Sequence, residues 1–204
     1  AWRDARIARI YEGTNEINRM LSVGMLIKKA FKGHVDLLGP ATKVQEELMG
    51  IPSFDTPDYS ELFAEEKEMI GKLKKAFLMV AGGAVQKYGP DLDAHQQLLM
   101  AASDILIEIY MAESTILRTE KLAKTNGADK IKEQIAMAQL YLYQAVDIIT
   151  QKGKESIISF AEGDEQRMML MGLRRYTKYT NMPNVVGLRE TITSKLVAEN
   201  AYCF

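Results

Sequence analysis

Glu12 is the carboxylate of this sequence best placed to do chemistry. It lies within Tyr11-Glu12-Gly13-Thr14-Asn15-Glu16, where a glycine and small polar residues favour a turn followed by a helix start. A carboxylate on a positioned turn can accept a proton as a general base, and Gly13 lets backbone approach a bound molecule closely. The blander alternative for Glu12 is a solvated carboxylate ahead of a helix cap. Other reactive side chains are scattered. His34 and His95 are the only histidines, too few and too far apart for a His-based metal site, so no metal is expected. Cys203, the single cysteine, has no internal disulfide partner and reads as a bystander thiol.

The elements that must hold this turn all read as helices. Thr14 or Asn15 is the expected N-cap of a helix whose apolar positions Ile17, Met20, Leu21, Gly24, Ile27 and Phe31 recur every three or four residues. Lysines 28, 29 and 32 suit its C-terminal dipole. A short helix is expected from Pro40 to Met49, and Gly50 to Asp58, with Pro52 and Pro57, reads as a linker. Beyond it, Leu62, Met69, Leu73, Ala76, Phe77, Val80 and Ala84 form one stripe of a long helix from Ser60 to about Tyr88, stopped by Gly89-Pro90.

A second long helix is expected from about Asp93 to Lys124, ended by Asn126-Gly127. Its middle, Ile105 to Ala112, is apolar nearly all round except Glu108, which predicts burial on more than one side. A third runs from about Ala128 to Phe160 on Ile131, Ile135, Leu142, Val146, Ile149, Ile157 and Phe160, with an irregularity expected at Gly153. Asp164 is the expected N-cap of a fourth helix carrying Met168, Met169 and Met171, read mainly as core, and a last helix spans about Val186 to Glu199. Glu108 and Glu113 are expected to pair with Arg118 or Lys121, or to sit at an interface. Lys72, Lys74 and Lys75 read as a solvated face. No segment reads as a strand, so the fold class is all-α: an antiparallel bundle of long helices.

Composition narrows the function. Of 204 residues 47% are apolar and 26% charged, the profile of a globular protein. A formal charge of -1 argues against nucleic acid as a partner, because phosphate binding needs concentrated Lys and Arg. No apolar run approaches the roughly 20 residues needed to span a bilayer. The start at Ala1, with no initiator Met and no signal core, reads as a cut inside a longer protein, and a reducing cytoplasm is the expected compartment.

The run Arg3-Asp4-Ala5-Arg6-Ile7-Ala8-Arg9-Ile10-Tyr11-Glu12-Gly13-Thr14-Asn15-Glu16-Ile17 closely resembles an acyl-CoA dehydrogenase signature. The resemblance implies that Glu12 is the base that removes the α-proton of an acyl-CoA while the β-hydride leaves to FAD. It further implies that the Glu12 N–H polarises the thioester carbonyl, that Tyr11 and Gly13 line the substrate pocket, and that Thr14, Asn15 and Glu16 meet the flavin dinucleotide. Glu16 brings a negative charge where some relatives carry a neutral amide. A helical continuation after the signature is similar to the very-long-chain members, whose extra C-terminal domain is a helical bundle.

On this reading residues 1–33 end a catalytic domain, 34–58 connect, and 59–204 form the C-terminal bundle. The intact parent would use acyl-CoA and an electron-transferring flavoprotein as partners and form a homo-oligomer, with peripheral membrane contact left open. The fragment alone is expected to be inactive and to hold no FAD. The alternative is a helical interaction module, for oligomerisation or for docking to a membrane or partner, without catalysis.

Overall fold

A computed structural model describes residues 1–50 and 58–204; most of the expected linker falls outside the described residues. The chain builds α1 (Trp2–Ile7), α2 (Asn15–Phe31), α3 (Leu38–Met49), α4 (Ala64–Tyr88), α5 (Gln96–Asn126), α6 (Lys132–Phe160), α7 (Gly163–Tyr176) and α8 (Val185–Glu199). Short 3₁₀ turns at Gly89–Ala94 and Ala128–Ile131 lead into α5 and α6. No strand occurs among the described residues, in keeping with the all-α expectation.

Apolar periodicity explains the centre. Along α4 the residues Met69, Leu73, Ala76, Phe77, Val80 and Ala84 are buried, as are Leu142, Val146, Ile149, Ile157 and Phe160 along α6. Ile105, Ile109, Ala112 and Ile116 of α5 meet them in one continuous core. Burying each of the larger side chains among them contributes about 1.5–3 kcal/mol, so this three-helix layer dominates the favourable side of folding. The α5–α6 interface is the most extensive, α3 and α7 close over α4, α8 lies along α6, and α2 lies along α5. Val23 of α2 and Val44 of α3 belong to the same core cluster.

Several local expectations are revised. The predicted α2 stripe is split: Met20 and Ile27, joined by Val23, face the bundle, whereas Ile17 and Leu21 lie exposed on the other side and Phe31 borders a cavity that α2 shares with α3, α4 and α7. The middle of α5 buries only one face, leaving Ile107, Tyr110 and Met111 outside. No irregularity interrupts α6 at Gly153. That glycine instead admits α7, since an added Cβ would stand 2.8 Å from Leu173 Cδ1. Asp164 is not the cap of α7; Glu162 holds that position without a side-chain bond, and Asp164 sits in the first turn and pairs with Arg167.

Glu108 and Glu113 of α5 also choose partners across the bundle rather than along their own helix. Glu108 accepts the Tyr141 hydroxyl at 2.9 Å, and Glu113 pairs with Lys74 at 2.6 Å. Burial, reinforced by Glu108, pushes the Tyr141 phenol up to about 12. Lys72 and Lys75, read as solvated, are ion-paired with Glu68 and Glu47. Met169 is buried as core, but Met171 is exposed.

Candidate active site

The Glu12 turn is built from unusual backbone angles. Glu12 has φ of 57° and Gly13 φ of 95°, the left-handed region that glycine enters freely and a carboxylate residue seldom does. Two polar locks hold the turn. Asn15 N–H donates to the Arg9 carbonyl at 3.1 Å, and the Asn18 side-chain amide donates to the Gly13 carbonyl at 3.0 Å. Asn18 approaches so closely that a Cβ on Gly13 would lie 2.9 Å from its Oδ1. Of the two cap candidates Thr14 is the N-cap: its Oγ1 accepts the Ile17 N–H at 3.2 Å, and α2 begins at Asn15.

This arrangement brings Tyr11, Glu12, Gly13, Thr14, Asn15 and Glu16 together on one edge of the molecule. All but Thr14 are exposed. Ile10, Ile17 and Leu21 are exposed beside them, so the carboxylate stands next to an apolar margin. Chemically, such an edge offers a proton acceptor on a rigid turn and one wall for an apolar substrate, while the remaining walls must come from elsewhere. The residues fit one margin of a dinucleotide site. The exposed Asn15 amide and the partial positive charge at the start of α2 suit a phosphate or hydroxyl ligand, whereas the Glu16 carboxylate opposes an anion there.

What holds α2 against the bundle was not read from the sequence. Arg19 forms an ion pair with Asp104, and Ser22 Oγ and Ser103 Oγ lie 2.9 Å apart. Nearer the C-terminus of α2, Lys28 reaches Asp93 at 3.3 Å. The partners descend along α5 into the 3₁₀ turn before it as α2 ascends, so the two helices are antiparallel. Ser103 is fully buried within an apolar helix, and a serine at such a position was the available signal that a polar partner had to face it.

A cavity of about 330 Å³ lies elsewhere. It opens between α2, α3, α4 and α7 and is walled by Leu26, Phe31, Leu38, Phe77, Gly82 and Met169, with none of Tyr11 to Glu16 on its surface. Its lining is mainly apolar, with Glu165 as its one carboxylate, and the candidate chemistry is placed at the Glu12 turn. Among the described residues no helix is long and apolar enough to cross a membrane.

Fold and turn together define an all-helical domain that presents a carboxylate on a rigid turn and leaves one side of it open. Residues 72–175 match the family model for the acyl-CoA dehydrogenase C-terminal domain, and the chain belongs to that family. The matched residues lie in the bundle, so the membership does not depend on the Glu12 turn. A probable acyl-CoA dehydrogenase of Bacillus subtilis (strain 168) is 39% identical over 199 residues, covering 98% of this chain and 33% of the relative. The crystal structure of an acyl-CoA dehydrogenase complexed with FAD from Bacillus anthracis superposes with a TM-score of 0.89 at 40% identity, covering 100% of this chain and 34% of that one. The chain thus spans about a third of the length of these relatives.

Proposed function

We propose that the chain is the C-terminal part of a flavin-dependent enzyme that oxidises fatty acyl-CoA to trans-2-enoyl-CoA, with Glu12 as the base. The observation that carries this reading is the Glu12-Gly13 turn, locked by Asn18 and capped by Thr14, which presents an exposed carboxylate on a chain of this family. Glu12 removes the α-proton of the bound thioester, its N–H donates to the thioester carbonyl, and Tyr11 and Gly13 line the acyl side. Thr14, Asn15 and Glu16 border the cofactor. Bound FAD supplies the acceptor for the β-hydride. The similar Bacillus anthracis enzyme, crystallised as a complex with FAD, supports this cofactor.

On this proposal residues 1–33 belong functionally to the catalytic domain, 34–58 connect, and 59–204 form the bundle domain. Electrons leave to an electron-transferring flavoprotein in the cytoplasm. The apolar outer face of α2, with Ile17, Leu21 and Met25 exposed, meets the rest of the parent polypeptide. A second, compatible reading makes the bundle an oligomerisation module. It draws on the exposed Ile107, Tyr110, Met111 and Leu117 along α5. Contact with anionic lipid through Lys72, Lys74 and Lys75 is disfavoured, since all three ammonium groups are engaged with carboxylates.

Glu12→Gln in the full-length enzyme tests the reading. The amide keeps the size and hydrogen bonding of the side chain but lacks the basicity, so turnover should fall by at least about 10²-fold with flavin content and acyl-CoA affinity retained. Near-normal turnover with full flavin would move the base to another residue.

A further inference from the structure

We propose that Asp104 of α5 is a positioning residue for the Glu12 turn, acting through Arg19 of α2; this rests on the reading of Glu12 as the base. α2 is apolar on two sides. One face carries Met20, Val23 and Ile27, and the other carries Ile17, Leu21 and Met25. Burial of apolar area is non-directional, so hydrophobic packing alone discriminates poorly between the two faces and tolerates rotation of the helix about its axis. Rotation would swing Glu12 away from any substrate held against the rest of the enzyme.

Two polar contacts remove that freedom. The Arg19–Asp104 pair is well shielded, its side chains only 28% and 20% exposed. Beside it, Ser22 Oγ meets the fully buried Ser103 Oγ at 2.9 Å. Ion pairs and hydrogen bonds are directional, and placing the other face of α2 on α5 would leave Asp104 and Ser103 without these partners. Arg19 is five residues after the Thr14 cap, which at the rise of an α-helix is about 7.5 Å along the axis. The stretch between is continuous helix, closed at its start by the Thr14 cap and joined to the turn by the Asn18–Gly13 bond. An anchor at Asp104 therefore sets the angular position of the Glu12 carboxylate through a rigid connection. Lys28–Asp93, exposed and at the far end of α2, is the natural control.

The test measures the rate of flavin bleaching by acyl-CoA under anaerobic conditions in the full-length holoenzyme. Asp104→Asn should slow bleaching about tenfold or more, since small misplacements of a catalytic group are costly, while flavin content and acyl-CoA affinity stay unchanged. The reciprocal exchange, Arg19→Asp with Asp104→Arg, should recover most of the lost rate. Asp93→Asn should bleach at the wild-type rate. A wild-type rate in Asp104→Asn, alongside a Glu12→Gln enzyme that does not bleach, overturns the positioning role and leaves the base assignment standing. Normal bleaching by Glu12→Gln overturns both. An exchange variant that holds flavin but stays slow also overturns the proposal, as does an equal slowing in Asp93→Asn. If Asp104→Asn loses flavin, the exchange variant decides alone: recovery of flavin and rate supports positioning, and loss of flavin there too makes the pair purely structural and overturns it.

Discussion

α2 and α4 are both apolar helices, yet they use their apolar residues in opposite ways. In α4 one stripe from Met69 to Ala84 goes into the core, while Lys72 and Lys74 take up carboxylates on the outside. In α2 one apolar face meets the bundle and a second, with Ile17 and Leu21 more than half exposed, meets nothing among the described residues. A helix apolar on two sides is suited to lie between two surfaces. The bundle supplies one of them, and we assign the other to the part of the parent that would hold flavin and substrate. Glu12 stands at the end of this helix, where two such surfaces would meet.

The contrast can be tested by truncation. In this chain Leu142→Ala, which empties a buried site at the centre of α6, should cost about 3 kcal/mol in urea unfolding. Leu21→Ala should cost less than about 0.5 kcal/mol, because its side chain faces solvent. In the full-length enzyme Leu21→Ala should become clearly destabilising; a cost that stays negligible there would break the two-surface account of α2.

A smaller effect probes how tightly the bundle closes. At Gly172 of α7 an added Cβ would lie 2.6 Å from Leu48 Cδ2 and 2.9 Å from Met79 Sδ. Both neighbours are flexible side-chain ends, so Gly172→Ala should cost about 1–2 kcal/mol in the same unfolding measurement. A neutral result would mean that α3 and α4 yield at this point as readily as the exposed face of α2.

The smallest effect concerns pH. Burial, followed by the hydrogen bond to Glu108, pushes the Tyr141 phenol from 10.0 up to about 12. Its contribution to stability is therefore fully present below pH 10 and is lost as pH rises through about 12, where the folded phenol also ionises. Tyr176 is likewise pushed up to about 12 by burial and shares the alkaline loss. Tyr141→Phe should make the fall in stability between these pH values shallower, as followed by chemical unfolding across the range. An unchanged slope would place no bundle stability on the Tyr141–Glu108 contact.

Much of the local architecture was legible in the residues. A 3.6-residue apolar period needs no distant information, so the stripes of α4 and α6 were readable as they stand. Gly89 and Gly127 end α4 and α5 because they adopt φ of 49° and 88°, a conformation that costs glycine little. Thr14 was one of two candidate caps for the same local reason. The order Glu12-Gly13-Thr14 identified the turn worth attention. Its second lock, Asn18 on the Gly13 carbonyl, spans only five residues but depends on the turn already having formed.

Tertiary structure decided whatever required two distant segments to meet. Which face of α2 is buried, that Glu108 takes Tyr141 rather than a base on its own helix, and that Gly153 is a seat for Leu173 instead of a break all depend on neighbours placed by the fold. Arg19 and Asp104 stand 85 residues apart, and no period or local motif links them. Helix formation reads a side chain's nearest neighbours along the chain, whereas the choice between two apolar faces is made by the directional polar contacts that packing brings within reach.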